Sequence, residues 1–347
     1  MRKFAFNAAR AMAAAIALTA SLSACGGSSS PAASSTTAAP ANVRVISYPG
    51  SDSSWLAYIA QQQGYFTSND LNVSFVSLPA GAQATAALVG GSVDLAVLDT
   101  NNVAPLLAQG QKYTLLVNAV TNFWAIVGNK SLAGKSLAQA AAALKGQAVD
   151  VPSVGGTGGR QLQAIFAAYG LTAGAVKLVA DPTNASLTAG SVKAAMTDTI
   201  GACRLTTLGY PEIMNFVNPP QATSSYPAGV QPLIGLAGLG YWSKTSWSDK
   251  NPAAVGHFQH AIEQATAWAK SPANATAVAS LLRKSAFNLP TMSDSQWATC
   301  VGKVTAAFSN TYTAADAATW ATIVRSSGLA GSLPPTSEWL AAGIPQS

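Results

Sequence analysis

The sequence predicts an α/β protein of two lobes, each a sheet flanked by helices, with a helical C-terminal tail. Short apolar runs alternate with helix-periodic segments in two successive series, and extended runs connect the two series. Such alternation is typical of parallel sheets covered by helices. From residue 252 onward the periodicity is helical throughout. A chain of 347 residues is long enough to give each lobe its own core.

The first series predicts the first part of lobe 1, residues 42–122. A predicted helix has an apolar face that includes Trp55 and Tyr65. The other predicted elements are strands over 43–47, 72–78, 93–98 and 113–120 and helices over 82–89 and 103–109. Because each strand is followed by a helix that must cross over to the next strand, we expect the strands to be parallel.

The second series predicts lobe 2, residues 123–231, and the remainder predicts a return to lobe 1 and the tail, residues 232–347. In lobe 2 the predicted strands are 123–128, 147–151, 176–179, 194–197 and 213–217, and the predicted helices are 136–144, 160–169, 185–190 and 200–208. After these come a predicted strand over 233–239 and predicted helices over 252–270, 273–287, 294–308, 314–326 and 337–342. Ser293 and Thr313 are predicted N-caps in this tail.

The N-terminus has the layout of an export signal, residues 1–24. Arg2 and Lys3 precede an apolar run over 11–22 that is too short to cross a bilayer. Leu-Ser-Ala-Cys at 22–25 resembles the bacterial lipobox, which implies diacylation of Cys25 and a membrane anchor. Residues 25–41 are rich in Ser, Ala, Thr and Pro, which indicates a disordered tether.

Composition and charge argue against a nucleic-acid partner. Only 9% of residues are charged, and the net charge of +6 includes three basic residues in the first 24 positions. The rest of the chain holds 16 basic and 13 acidic residues, so its net charge is +3. The basic residues form no cluster of the kind that tracks a phosphate backbone.

Two cysteines remain if Cys25 is lipidated. Cys203 and Cys300 fall in segments that we assign to different lobes, where a bond would restrict lobe motion. Outside the cytoplasm they could pair. We expect two buried, unpaired thiols instead.

A glycine-rich segment, Asp-Val-Pro-Ser-Val-Gly-Gly-Thr-Gly-Gly-Arg at 150–160, joins a predicted strand to a predicted helix. Glycines around Thr157 leave amide groups uncovered at the helix start, a favourable seat for an anionic or strongly polar group. The spacing matches neither a P-loop nor Gly-x-Gly-x-x-Gly. A plain strand-to-helix turn explains the segment equally well.

Two further segments carry a family resemblance. WLAYIAQQQGYF at 55–66 with LNVSF at 71–75, and GAQATAALVGGSVDLA at 81–96, resemble the opening units of ABC-importer solute-binding proteins. The resemblance is strongest to their nitrate/sulfonate/taurine group, which also includes thiamine-precursor binders, and covers residues 43–308. One departure is Lys193, which stands where many relatives carry an acid.

The resemblance implies a type II periplasmic-binding-protein fold and a function as an extracytoplasmic, lipid-anchored solute-binding protein. It further implies capture of a small organic solute between the lobes and delivery to a permease driven by ATPase subunits. We expect a monomer that needs no cofactor and no metal.

The binding site is expected at the carboxyl ends of the strands, where open α/β sheets bind ligands. Four loops qualify: 48–54, 99–102, 153–160 and 197–201. The predicted ligand-binding residues are Tyr48, Ser53, Ser54, Asn101, Trp124, Gly156, Thr157, Gly158 and Asp198. Arg160 could pair with a sulfonate or carboxylate, but we expect a solvated residue of the first helical turn.

Other function classes find less support in the residues. His257 and His260 have a ligand-like spacing on one predicted helix, but no acidic or cysteine motif accompanies them, which favours a surface pair. A pyrimidine-precursor synthase on the same fold would need a reactive Cys and His cluster, which the sequence does not show. A surface scaffold or adhesin that kept the fold and lost the cleft is the remaining alternative.

Overall fold

The computed structural model describes residues 39–78, 81–172, 174–285, 291–326 and 332–345. The predicted signal peptide, Cys25 and most of the predicted tether lie outside these residues. In the part that is described, no helix has the length and apolar character needed to span a membrane.

Within the described residues, ten strands form two five-stranded sheets. The strands are β1 Ala41–Ser47, β2 Leu71–Ser77, β3 Leu95–Asp99, β4 Tyr113–Thr121, β5 Trp124–Gly128, β6 Ala148–Val151, β7 Lys177–Ala180, β8 Ala194–Asp198, β9 Glu212–Asn215 and β10 Ala237–Lys244. The first sheet has the order β2-β1-β3-β10-β4, and the second has the order β7-β6-β8-β5-β9. Each sheet belongs to one lobe.

Thirteen helices accompany the described strands. They are α1 Trp55–Gln62, α2 Tyr65–Ser68, α3 Gly81–Gly90, α4 Thr100–Ala108, α5 Leu137–Leu144, α6 Thr157–Ala168, α7 Ala185–Thr188, α8 Thr199–Thr207, α9 Thr245–Ser248, α10 Pro252–Lys270, α11 Ala275–Arg283, α12 Asp294–Ala306 and α13 Ala314–Ser326. The predicted α/β fold with two sheets, flanking helices and a helical tail is confirmed.

Each sheet contains one antiparallel strand, contrary to the expectation of all-parallel strands. Strand β10 lies between β3 and β4 and is antiparallel to both. In the same way β5 is antiparallel to β8 and β9. The parallel strands of each sheet end at the other lobe. After each crossing the chain enters the other sheet at the edge where its parallel strands end. The first strand after the crossing, β5 or β10, therefore runs antiparallel to them.

The two crossings lie side by side. The amide of Asn122 donates to the carbonyl of Leu236 at 2.7 Å. The side-chain amide of Asn122 also donates to the carbonyl of Leu233 at 2.8 Å. Asn122 is fully buried, so its hydrogen bonds tie one crossing to the other.

The C-terminal helices cover lobe 1 and reach lobe 2. Helix α10 packs on α1 and α2, where Phe258 stacks on Phe66 with ring centroids 5.5 Å apart. Helix α12 packs against α11 and against α8 of lobe 2. Ser293 caps α12 through a capping box with Gln296, which confirms the predicted N-cap.

Cys203 and Cys300 form a disulfide, so the expectation of two unpaired thiols is wrong. Their Cα atoms are 5.9 Å apart, within the range that a disulfide spans. Helix α12 lies directly on α8 and brings together two residues separated by 97 positions. The bond therefore joins lobe 2 to the helical tail.

Three elements of the return segment and tail differ most from their predicted bounds. The predicted strand over 233–239 is β10, which begins at Ala237 and continues to Lys244. Residues 231–236 instead form a short 3-10 turn and the crossing to lobe 1. The helix predicted over 273–287 ends at Arg283. The helix predicted over 337–342 is a single 3-10 turn, Thr336–Glu338.

Candidate functional site

A cavity of about 470 Å³ lies between the two lobes. Both lobes line it through segments that follow strands. These segments are 48–53 after β1, Asp99 and Asn102 at the end of β3, 152–158 between β6 and α6, 182–184 after β7, and 197–204 at the end of β8. The strand order positions the site, because the carboxyl ends of the parallel strands in both sheets face the same space.

The lobes touch each other directly beside this cavity. Ser51 Oγ of lobe 1 donates to Asp198 Oδ2 of lobe 2 at 3.0 Å. The Ile200 amide of lobe 2 donates to Asp52 Oδ2 of lobe 1 at 3.1 Å. These hydrogen bonds require the lobes to be close together, so the structure represents a closed arrangement.

Asp52, which is buried, and Asp198, which is partly exposed, form an acidic pair across the cleft. Burial raises the pKa of both carboxyl groups, and repulsion by Asp198 raises the pKa of Asp52 further. Asp198 is the N-cap of α8, and its Oδ1 accepts from the Gly201 amide at 2.8 Å. Both oxygens of Asp198 are therefore engaged by protein donors.

Asp99 stands at the end of β3 and begins α4 as its N-cap residue, without a side-chain capping bond. It is 4% exposed, and burial raises its pKa to about 7 although a hydrogen bond with the Thr157 side chain acts in the opposite direction. Among the described residues, its Oδ1 has no hydrogen-bond partner. Asp99 thus lines the cavity, while its Oδ1 is itself buried.

Aromatic residues form the apolar part of the wall. Trp124 stacks on Phe123 with ring centroids 5.1 Å apart, and both line the cavity. Gly158 leaves room for this indole, because a Cβ at Gly158 would come 3.1 Å from Trp124 Cζ3. The Tyr48 hydroxyl donates to the Val97 carbonyl at 2.8 Å, which orients its ring.

The glycine-rich segment forms the start of α6 against the cleft. Gly156 is the N-cap residue, and Thr157 begins the helix. A Cβ at Gly159 would lie 2.9 Å from the Ser153 carbonyl oxygen and closer still to that of Val154. Glycine at this position therefore allows the helix to pack against its own preceding loop.

The opposite wall carries a small group of donors in lobe 2. Asn184 is 1% exposed and has a left-handed backbone conformation with φ of 56°. Arg204 donates to the Thr183 carbonyl and, at 3.4 Å, to Asn184 Oδ1. The amide nitrogen of Asn184 then remains as a donor, and it has no partner among the described residues.

The structure places most of the predicted site residues on the cavity. Those that line it are Tyr48, Ser53, Trp124, Gly156, Thr157, Gly158 and Asp198. Ser54 and Asn101 do not line it. Ser54 Oγ accepts from the Tyr48 amide at 2.7 Å, and Asn101 is fully buried.

Arg160 is half-buried and binds the other lobe, so the expectation of a solvated residue is wrong. Its guanidinium donates to the carbonyl of Asn101 at 3.1 Å and to Oδ1 of the same residue at 3.3 Å. This contact holds α6 of lobe 2 against α4 of lobe 1. Burial lowers the pKa of Arg160.

The side chains of the wall that the sequence did not predict include Asp99, Asn102, Asn184 and Arg204. Asp99 and Asn102 lie in the loop over 99–102, from which the sequence predicts Asn101 instead. Asn184 and Arg204 lie outside the four loops that the sequence predicts to surround the site. The strand-end argument, applied to the loop after β7, would have found Asn184.

The NMT1/THI5-like family model matches residues 53–275, which is more than half of the chain. This chain belongs to the NMT1/THI5-like family. The predicted family resemblance is thereby confirmed. A comparison with curated proteins found no significant match.

Three solved structures share the fold of this NMT1/THI5-like protein. The periplasmic aliphatic sulphonate binding protein SsuA from Escherichia coli is 18% identical and has a TM-score of 0.64, with 87% of this chain and 98% of that chain covered. The alkanesulfonate-binding protein SsuA from Xanthomonas axonopodis pv. citri, bound to MOPS, is 19% identical with a TM-score of 0.64, and the match covers 88% and 100% of the two chains. The periplasmic nitrate-binding protein NrtA from Synechocystis PCC 6803 is 16% identical with a TM-score of 0.59, and the match covers 72% of this chain and 67% of that one.

These three neighbours are binding proteins rather than enzymes. At such identities the likeness concerns the fold alone. The cleft residues of this chain must therefore be interpreted from their own geometry.

Proposed function

We propose that this NMT1/THI5-like protein is the extracytoplasmic solute-binding component of an ABC importer. The observation that carries the proposal is the cavity between the lobes, lined from both sides and bounded by hydrogen bonds between them. A solute that contacts both lobes stabilises the closed arrangement over an open one, which couples binding to lobe position. A permease can recognise the difference between the two states.

The comparisons support this proposal through proteins of the same fold. Two of the solved neighbours are described as sulfonate-binding proteins and one as a nitrate-binding protein. The Escherichia coli SsuA and NrtA are also described as periplasmic. By analogy this chain would bind a small solute, release it unchanged and dock on a permease with its ATPase subunits. We propose that it acts as a monomer.

An exported location agrees with the periplasmic neighbours, and we propose lipid anchoring through Cys25. Lipid attached to one cysteine would hold the protein near its permease, since each buried CH₂ group contributes about 0.8 kcal/mol to membrane binding. The segment that precedes β1 would then serve as the tether, one residue shorter than predicted because Ala41 already pairs with Leu71.

The test is a thermal-shift screen of the purified protein against two sets of solutes. One set holds anions such as alkanesulfonates, taurine and nitrate, and the other holds nitrogen-containing heteroaromatic compounds. A bound solute at a hundredfold excess over its Kd raises the free energy of unfolding by about 2.7 kcal/mol. Small-angle X-ray scattering with each hit then measures whether binding shifts the protein toward a more compact form.

We expect at least one solute to raise the melting temperature and to favour the compact form. Stabilisation without any effect on the lobes would contradict transport by lobe closure. No stabilisation by any solute, in protein shown by mass spectrometry to carry no co-purified small molecule, would favour a surface scaffold instead.

A further inference from the structure

Five exposed lysines lie at the edge of the lobe 2 sheet that is opposite the cleft. The parallel strands of this sheet end at the cleft, so their first residues form the opposite edge. The lysines that precede, begin or follow strands there are named the lysine edge: Lys130, Lys135, Lys145, Lys177 and Lys193. The sequence shows no such cluster, because the five are widely spaced along the chain.

Strand pairing brings three of these lysines together. The amide of Lys193 donates to the Ala148 carbonyl at 3.0 Å, and the carbonyl of Lys193 accepts from the Asn129 amide at 2.8 Å. Lys130 is therefore next to Lys193 on one side. On the other side, Ala148 is the Cα partner of Lys177 in the parallel pair of β6 and β7. Two strand spacings, about 10 Å, separate Lys177 from Lys193.

The other two lysines lie in turns beside the same strands. The Lys135 amide donates to the Leu132 carbonyl at 3.2 Å, and Leu132 lies against the end of β5, since a Cβ at Gly128 would come 2.8 Å from the Leu132 Cβ. Lys145 is the C-cap residue of α5, where a positive charge complements the helix dipole. That local explanation does not extend to the lysines at the strand starts.

The lysine edge carries an excess of positive charge. Within the described residues, none of the five lysines forms an ion pair. Glu212 begins β9 at the same edge, and its Oε2 accepts from Asn215 Nδ2 at 3.2 Å. Together with the five lysines it gives a charge of +4, whereas the chain from residue 25 onward carries only +3. The remaining residues therefore carry a net charge of −1.

The corresponding edge of lobe 1 differs in that basic residues have acidic partners. Arg44 of β1 pairs with Asp94, and Lys112 in front of β4 pairs with Glu338, both with N–O distances of 2.8 Å. A general surface composition therefore does not account for the lysine edge. Like charges at neighbouring strand ends repel each other, so an edge of this kind indicates a partner that supplies negative charge.

The partner that fits this edge is an extended anionic surface. Lysine ammonium groups are hydrated point charges on flexible stems and lack the planar geometry with which arginine selects one anion. Anionic lipid headgroups attract such groups through their summed charge and require no complementary shape. The lipid proposed at Cys25 would keep the edge at a high effective concentration near such a surface.

We propose that the lysine edge of lobe 2 binds the anionic lipid headgroups of a membrane surface. The cleft side of lobe 2 then faces away from the lipid, because the cleft lies at the opposite ends of the same strands. This inference concerns a surface outside the cleft and goes beyond the proposed function.

The test is vesicle co-sedimentation of residues 39–347. They form one compact unit with every described strand and helix, and they lack the proposed lipidation site. Neutral vesicles of phosphatidylcholine are compared with vesicles in which about one third of the lipid is phosphatidylglycerol. The double variant Lys177→Ala/Lys193→Ala is compared with Lys250→Ala/Lys284→Ala, a matched control that removes two exposed lysines elsewhere.

We expect binding to the anionic vesicles alone, and we expect it to weaken as the salt concentration rises. Each lysine close to an anionic surface contributes roughly a fivefold gain in affinity, so Lys177→Ala/Lys193→Ala should weaken binding roughly 30-fold. The control variant should bind like the unaltered protein. All three proteins should share one melting temperature, because the four substituted side chains are exposed.

Three outcomes would overturn the inference. The first is equal binding to neutral and anionic vesicles, and the second is no binding to either, which would leave an acidic protein as the partner. The third is an equal loss in both double variants, which would mean that net charge and not the lysine edge determines binding. Each of them leaves the solute-binding proposal standing, since the thermal-shift screen tests the cleft independently.

Discussion

The disulfide between Cys203 and Cys300 makes a quantitative prediction about stability. It closes a loop across 97 positions and joins α8 of lobe 2 to α12 of the tail. Chain entropy alone then gives the folded state an advantage of about 4.7 kcal/mol over the state without the bond. For roughly 300 ordered residues this corresponds to a loss of about 7 °C in melting temperature when the bond is absent.

The assay is thermal and denaturant unfolding of Cys203→Ser, Cys300→Ser and the double variant. Removing either cysteine breaks the same bond, so each single variant should lose nearly as much as the double variant. Losses from altered packing at two separate buried sites would add instead. Scattering should also show a wider range of lobe opening without the bond, because its two ends lie on different lobes.

Additive losses in the two single variants would contradict a bond between Cys203 and Cys300. So would reaction of the native protein with a thiol reagent at both positions under non-reducing conditions. Either result would mean that the two helices approach each other without a covalent link in solution.

Three further predictions concern other parts of the chain. Gly159→Ala should destabilise the protein by about 1–3 kcal/mol because its Cβ would collide with backbone carbonyl oxygens. The Cβ of Gly256→Ala on α10 would meet no atom within 4 Å, so this substitution should stabilise the protein by about 0.5–1 kcal/mol. Denaturant unfolding measures both changes. Burial and repulsion by Asp181 raise the pKa of Asp150 to about 6, above its value in the unfolded chain. Because the folded state binds this proton more tightly, the free energy of unfolding should fall as the pH rises from about 4 to about 6. Asp150→Asn should flatten that part of the stability profile, and an unchanged slope would contradict the assignment. Cys25→Ser should move the protein from the membrane to the soluble fraction on cell fractionation, and retention on membranes would count against the anchor.

Local patterns in the sequence predicted the fold class and most elements. Apolar periodicity predicted α10 and α13 with the bounds that the structure shows, Pro252–Lys270 and Ala314–Ser326. Ser293, three residues before Gln296, predicted the start of α12. These features depend on neighbours a few residues apart, and such neighbours can be found in the sequence itself.

The strand directions and the disulfide depend on residues far apart in the chain. Nothing local in β5 or β10 shows that each runs against its sheet, because the direction follows from the edge at which the chain enters the lobe. In the same way Cys203 and Cys300 are neighbours only because α12 lies on α8. Sequence separation conceals contacts of this kind.

The cleft shows the same division. Strand ends, polar composition and glycine content predicted which loops surround it, and therefore Tyr48 and Thr157, while Trp124 was predicted from its place near the first crossing. Which side chain of a loop faces the cavity depends on the rotation of each strand and helix and on how the lobes meet. For that reason only the tertiary structure showed that Asp99 lines the cavity and that Asn101, two residues further on, does not.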